Sequence, residues 1–219
     1  GPTTDFKFRQ AVNTAIDVDE LMLAGYSHED LYWVDSGYMD INMKNWASTA
    51  GSEYFNLNDP DQAKQILSES SYNGEEVVIM LTRDYPQYYN IGVVLQEQLV
   101  NIGINSRIDV YDWPTFNDKT HNEQNHDQWD IFVVGASPQL IGLSPGFAAG
   151  VQDQKAVDMM KELETAPSLE EAQKLWDELQ QYAWEELLPI INLGGSNALY
   201  GVSKDVEGIT TFTGPVFWN

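Results

Sequence analysis

The stretch Asp59–Trp113, DPDQAKQILSESSYNGEEVVIMLTRDYPQYYNIGVVLQEQLVNIGINSRIDVYDW, decides the fold. Asp59 stands where a helix N-cap belongs, Pro60 suits the first helical position, and Gln62 falls three residues after the cap. Gly74 and Glu75 follow as a turn, and the β-branched run Val77, Val78, Ile79 predicts a buried strand. From Pro86 to Ile102, the residues Ile91, Val94, Leu95, Leu99 and Ile102 recur at helical spacing. Gly103 stops that helix, and Ile104, Ile108 and Val110 mark a second strand. Strand, helix and strand form a βαβ unit, so the strands run parallel and the crossover is right-handed. The whole stretch lacks an evident catalytic group, which makes it a scaffold for binding before anything else.

Working outward, DFKFRQAVNTAID puts Phe8, Val12, Ala15 and Ile16 on one helical face, and Asp17 with Glu20 forms a capping box for a short helix from Val18 to Leu23, ended by Gly25. Residues 26–58 hold many Tyr, Trp, Ser, Asn and Gly without a sustained period and predict a long ordered loop. Past Trp113, Pro114 and Phe116 continue a short helix, and the polar run HNEQNHDQ leads into a third core strand, Ile131 to Val134. GASPQLIGLSPGFAAG then connects to a helix from Gln154 to Glu164, and the capping box Ser168 and Glu171 opens another that buries Ala172, Leu175, Trp176, Leu179 and Ala183. Pro189 to Leu193 and Ala198 to Val202 read as strands, and the tail to Asn219 as irregular. With no internal repeat and no linker, residues 1–219 are expected to form a single α/β domain.

The totals restrict the partners. Thirty-four acidic and 11 basic residues give a formal charge of −23, which repels phosphate backbones and anionic headgroups, so neither nucleic acid nor a membrane surface is an expected partner. No run approaches the roughly 18 apolar residues that cross a bilayer, so no direct membrane insertion is expected, and any export signal or anchor is expected to lie outside this chain. Without cysteine the chain has no disulfide and no thiol chemistry, and no phosphate loop, HExxH or GxGxxG motif occurs.

Several separated motifs then resemble one family in its order. FRQAVNTAID, DPDQAKQIL, QEQLVNIGI, DVYDW and WDIF are similar to the bacterial extracellular solute-binding proteins of family 5, which serve ABC importers of peptides and nickel. KLWDELQQYAWEELLPIINLG and PVFWN extend the resemblance to the end of the chain. The resemblance implies one lobe of a type II periplasmic-binding-protein-like fold, with a mixed, mostly parallel sheet flanked by helices. Family members carry a long part before the FRQAVNTAID-like motif, so this chain looks like the second, C-terminal lobe alone. The implied partners are a peptide or small-molecule cargo, the missing N-terminal lobe and an ABC permease, and the implied place is extracytoplasmic, in the periplasm or at the cell surface as a lipoprotein. No cofactor and no catalytic residue is expected.

In an open parallel sheet ligands gather beyond the carboxyl ends of the strands. That rule selects Thr82 to Tyr85, Tyr111 to Trp113 and Gly135 to Gln139, and gives Arg83, Tyr85, Trp113, Ala136, Ser137 and Gln139 as candidate ligand-binding residues. The family's peptide binders often show a Trp after the glycine of the third segment and an acid soon after, which pairs with the peptide's amino terminus. Here Ala136 and Gln139 replace that pattern, so the resemblance points away from a free peptide amino terminus and leaves a polar solute, sugar or modified peptide open. Arg83 suits a carboxylate, and Ser137 and Gln139 suit a neutral polar group.

Each of these has a plainer alternative. A surface salt bridge accounts for Arg83, and packing of the short helix accounts for Trp113. Trp33, Tyr38 and Trp46 either extend a cleft wall or form the aromatic core of their own loop. His121, Glu123, His126 and Asp127 match no metal-site spacing, so no metal site is expected. A hydrolase would need two cleft carboxylates with separated pKa values, for which Asp84 and Asp112 are the candidates, and a sensor or adaptor module is a third possibility.

Overall fold

The computed structural model describes residues 1–135, 153–197, 201, 203–205, 209–211 and 215–217. Short polar side chains start its helices. Helix α1 (Phe6–Ala15) is capped by Asp5, whose carboxylate accepts the Lys7 N–H at 2.9 Å. Helix α2 (Val18–Tyr26) is capped by Asp17, which accepts the Glu20 N–H at 3.0 Å. This helix runs past Leu23, where the sequence predicts its end, and stops at Ser27 in the left-handed region, φ 63°. Gly25 is a packing glycine rather than a stop: a β-carbon there would lie 2.8 Å from Ile91 of the neighbouring helix.

Strand β1 (Tyr32–Val34) follows, then α3 (Pro60–Ser68) with Asp59 accepting the Gln62 N–H at 2.9 Å. The predicted βαβ unit is present as β2 (Val77–Thr82), α4 (Pro86–Asn101) and β3 (Ser106–Tyr111). Helix α5 (Trp113–His121) leads to β4 (Ile131–Phe132). These strands form a three-stranded parallel sheet in the order β3-β2-β4, in register from Val77 opposite Ser106 to Thr82 opposite Tyr111.

Alternation along β2 divides the packing between two faces. Val77, Ile79 and Leu81 enter the main core with Phe8, Ala11, Val12, Val18, Leu21, Ile91, Leu95 and Leu99. Met80 is buried on the other face, where α5 meets β2 and Phe116 packs edge-on to Phe132 at 6.0 Å. Helices on both faces follow from crossovers that run in opposite directions along the sheet, from β2 to β3 and from β3 back past β2 to β4. Gly92 lets α4 approach, because any β-carbon there would overlap the Leu81 side chain.

The third strand pairs only over Ile131 and Phe132, shorter than the predicted Ile131–Val134. Asp130 extends it by other means: its N–H donates to the Val78 carbonyl at 3.0 Å, and its carboxylate accepts the Val78 N–H at 2.9 Å. Trp129 donates its indole N–H to the Lys119 carbonyl at 3.1 Å, so the WDIF motif pins β4 to both β2 and α5.

Helices α6 (Gln154–Glu164) and α7 (Leu169–Tyr182) form a second core with Met39, Trp176 and Leu179. Helix α7 widens into a π turn over Ala183–Leu187, after which Leu188 is left-handed at φ 42°. Arg9 secures this strained end, its Nε and Nη2 donating to the Leu187 carbonyl at 3.0 and 2.7 Å. With Leu188 turned and Pro189 lacking an N–H, the strand predicted at Pro189–Leu193 does not form. Instead β5 (Gly194–Ser196) pairs antiparallel with β1, which lies inside the segment predicted as loop. This pairing requires glycine at Gly194, where φ is 130° and a β-carbon would overlap the Trp33 carbonyl oxygen. The tail, expected to be irregular, holds an antiparallel pair, β6 (Ile209–Thr211) and β7 (Pro215–Phe217). Of the predicted strand Ala198–Val202, only Gly201 is among the described residues.

Candidate functional site

Because Thr82 and Tyr111 are register partners, the chain leaves β2 and β3 side by side at their carboxyl ends. The two exits are tied together: Asp84 Oδ2 accepts the Trp113 backbone N–H at 2.6 Å. That N–H is the first orphan donor of α5, and Asp112 satisfies another by accepting the Thr115 N–H at 2.8 Å. The Thr115 hydroxyl and N–H together hold the Asp112 carboxyl below the usual carboxylate range.

An aromatic row crosses all three strand ends. Tyr85 lies 5.5 Å from Tyr88 and meets Trp113 edge-on at 4.8 Å. Trp113 stacks on Phe116 at 5.5 Å with 17° between the rings, Phe116 meets Phe132 edge-on, and Phe132 meets Trp129 at 5.1 Å. Phe116 is buried, Tyr88, Trp113, Trp129 and Phe132 are half-buried, and Tyr85 is exposed. Trp113 thus packs its own helix and still presents a surface, so its two sequence readings are not exclusive. Gly135 closes the row: a β-carbon there would overlap the Tyr88 hydroxyl, which burial pushes to a raised pKa.

Arg83 projects from the end of β2. Its guanidinium lies 4.9 Å over the Tyr89 ring and donates from Nη2 to the Tyr89 hydroxyl at 3.1 Å. The ring is anchored, since Tyr89 packs against the main core. Among the described residues Arg83 makes no ion pair, so the expected surface salt bridge is replaced by an aromatic seat.

Of the sequence-selected residues, Arg83, Tyr85 and Trp113 are thus at one edge of the sheet, whereas Ala136, Ser137 and Gln139 lie outside the described residues. Tyr88 and Tyr89 were not selected. Their signal was legible, because they stand three and four residues after Tyr85 and so share its side of α4.

Other candidates have structural occupations. Tyr38 donates its hydroxyl to the Ile190 carbonyl at 2.7 Å, Trp46 accepts the Trp176 indole N–H at its carbonyl at 2.8 Å, and Trp33 lies against β5. Tyr38 and Trp46 pack against the core of α6 and α7 rather than forming a core of their own loop. Among the described residues no group of three or more His, Asp or Glu side chains is arranged to hold a metal ion. His121 and His126 instead lie 2.9 and 3.2 Å from backbone carbonyls of Asn117 and Thr120.

A parallel sheet with helices on both faces, whose carboxyl edge carries an aromatic surface and one seated guanidinium, is an open α/β scaffold of the kind in which ligands meet strand ends. The chain belongs to the bacterial extracellular solute-binding proteins of family 5, whose middle region matches residues 1–158. It is 25% identical to the "Probable peptide ABC transporter periplasmic-binding protein y4tO" of Sinorhizobium fredii, over 100% of this chain and 43% of that one. Two solved structures share the fold. The substrate-binding protein CtaP of Listeria monocytogenes gives a TM-score of 0.73 at 16% identity, covering 87% of this chain and 40% of that chain. The oligopeptide-binding protein AppA of Bacillus subtilis, solved with a nonapeptide, gives 0.72 at 20% identity, covering 87% and 41%. The chain therefore spans less than half the length of each. No helix among the described residues is long and apolar enough to cross a membrane.

Proposed function

We propose that this chain is the C-terminal lobe of the substrate-binding component of an ABC importer for peptides or another small polar solute. It works outside the cytoplasm, closes with a complementary lobe around its cargo and docks on a permease. The observation that carries this reading is the convergence of Arg83, Tyr85 and Trp113 at the carboxyl edge of a parallel sheet, with stacking surface and hydrogen-bond donors uncommitted. One wall of this kind supports cargo on one side only, so closure by a second wall is what excludes water and completes the contacts.

A hydrolase would place a carboxyl of raised pKa at this edge to act as general acid. Asp112 is shifted the other way by its capping bonds, and Asp84 is engaged with the Trp113 N–H. The acids of this edge support the frame, which favours binding over hydrolysis.

The test is to purify the full-length protein containing this chain and identify what it retains by native mass spectrometry. The retained solute is then titrated into the full-length protein and into the 219-residue chain. Binding by the full-length protein, with at least tenfold weaker binding by the chain alone, is the expected outcome. Equal affinity would overturn the half-cleft reading, and turnover of the solute would overturn the binding reading.

A further inference from the structure

We propose that Asn73 is a site of spontaneous covalent modification, where the side chain loses ammonia through a succinimide and the residue ends as aspartate or isoaspartate. Asn73–Gly74 is the one Asn-Gly step in the sequence. Asparagine deamidates when the backbone nitrogen of the next residue attacks its side-chain amide carbon. The step needs an asparagine open to water, a following N–H that no acceptor holds, and no β-carbon crowding that nitrogen.

The turn between α3 and β2 supplies all three. Asn73 and Gly74 are both exposed. Gly74 is left-handed at φ 86°, with nothing within 4 Å of where a β-carbon would stand. Among the described residues neither the Gly74 N–H nor the Asn73 side chain makes a hydrogen bond, whereas the Asn73 N–H donates to the Glu75 carboxylate at 2.8 Å. Residue 73 is thus tethered on one side and free on the side where the ring closes. Asn58 makes the contrast: it is exposed and left-handed too, at φ 47°, but the next N–H, that of Asp59, donates to the Thr14 carbonyl at 2.9 Å. Asn105 precedes Ser106, which is already in register with Val77 in the sheet.

The chemistry needs only water and base. Once base takes the Gly74 N–H proton, the nitrogen bonds to Asn73 Cγ, the Cγ–Nδ2 bond breaks, and the leaving group takes up a proton and departs as ammonia. Water then opens the five-membered ring. Cleavage at Cγ gives aspartate, and cleavage at the backbone carbonyl gives isoaspartate, with the chain running through the β-carbon. Either product places a new carboxylate beside Glu75 and Glu76, and isoaspartate adds a methylene to the backbone. The Glu76–Arg107 ion pair and the Asn105 N–H donated to the Tyr72 hydroxyl tie this turn to the amino ends of β2 and β3. Arg83, Tyr85 and Trp113 stand at the opposite end of the same strands, so the modification is expected to act on the sheet and spare that edge.

The experiment incubates the full-length protein, its Asn73→Gln variant and a synthetic peptide spanning residues 70–77 in mildly alkaline buffer. Conversion at every asparagine is followed by peptide mapping with mass spectrometry. Asn73 is expected to convert ahead of all other asparagines, with a gain of about 1 Da as an amide becomes a carboxyl and with both aspartate and isoaspartate present. Its rate in the folded protein is expected to lie within about threefold of the peptide's, because a turn with no held amide and no packed neighbour opens at next to no cost. Asn73→Gln, which would have to close a larger ring, is expected to lose the conversion and keep the melting temperature. A rate about tenfold or more below the peptide's would show that the fold protects Asn73 and would overturn the proposal. Conversion led by another asparagine, or aspartate without isoaspartate, would overturn it as well.

Discussion

Asp84 Oδ2 accepts the backbone N–H of Trp113 at 2.6 Å, joining the carboxyl ends of two adjacent parallel strands. The bond crosses the connection between a strand and the helix after its neighbour, so it fixes the angle at which Trp113 faces Tyr85. Asp84→Ala removes the acceptor and costs about 1 kcal/mol, since water replaces part of the bond at this exposed place. Hydrogen exchange at the Trp113 amide is expected to accelerate in Asp84→Ala and to stay near wild type in Asp84→Asn, whose amide oxygen still accepts. Unchanged protection in the alanine variant would show that the bond does not hold Trp113.

Gln180 is fully buried and serves three backbone groups. Its Oε1 accepts the Tyr38 N–H at 3.1 Å, and its Nε2 donates to the Ser48 and Ala50 carbonyls at 3.0 and 2.8 Å. Gln180→Met nearly conserves volume and strands all three, at a cost of about 2–4 kcal/mol. The urea midpoint is expected to fall, and amide exchange in residues 36–50 to rise more than in the parallel sheet. A uniform rise would mean that this loop does not unfold as a unit.

Gly92→Ala places a methyl group against Leu81, which is fully buried, and overpacking of this kind costs about 1–3 kcal/mol. The second variant Leu81→Ala makes room. In the double variant the two costs are expected to be less than additive, read from denaturant midpoints, because one side chain vacates the space the other needs. Strict additivity would exclude the contact.

Asp5 titrates below its ordinary value, first because the Ser71 backbone N–H bonds its carboxylate, with the Lys7 N–H adding to this. A depressed carboxyl pKa in the folded state gives stability that is present above the unfolded value, about 3.9, and is lost as pH falls through the folded value. The acid limb of the stability profile, below about pH 4, is therefore expected to be flatter in Asp5→Asn than in wild type. The residue is half-buried and its carboxylate reaches solvent, so salt screens part of the effect. Parallel limbs in urea titrations from pH 2 to 6 would assign the acid sensitivity to other carboxyls, of which Asp112 and Glu53 are also depressed by hydrogen bonds.

The chain's local grammar was legible where a residue acts on its own neighbours. Asp17, Asp59 and Ser168 cap the helices that their positions announce, and the apolar spacing from Ile91 to Leu99 faces the core. Gly25 reads as a helix stop in the sequence but packs within the helix, because a helix-ending glycine and a close-packing glycine are the same letter, and only the approach of Ile91 tells them apart. The pairing of β1 with β5 joins Tyr32 to Ser196, and no local pattern in either segment encodes a partner so far away.

The sequence by itself determined the parallel βαβ unit and the acidic character, since these follow from periodicity, capping and composition. It also named Arg83, Tyr85 and Trp113 through the rule that ligands meet strand ends. Tertiary structure alone decided what those residues are free to do. It turned Asp84 and Asp112 into backbone acceptors, seated Arg83 on Tyr89 and ran an aromatic row across three strands, because contacts between separate strand ends depend on register and packing that a linear order of residues does not contain.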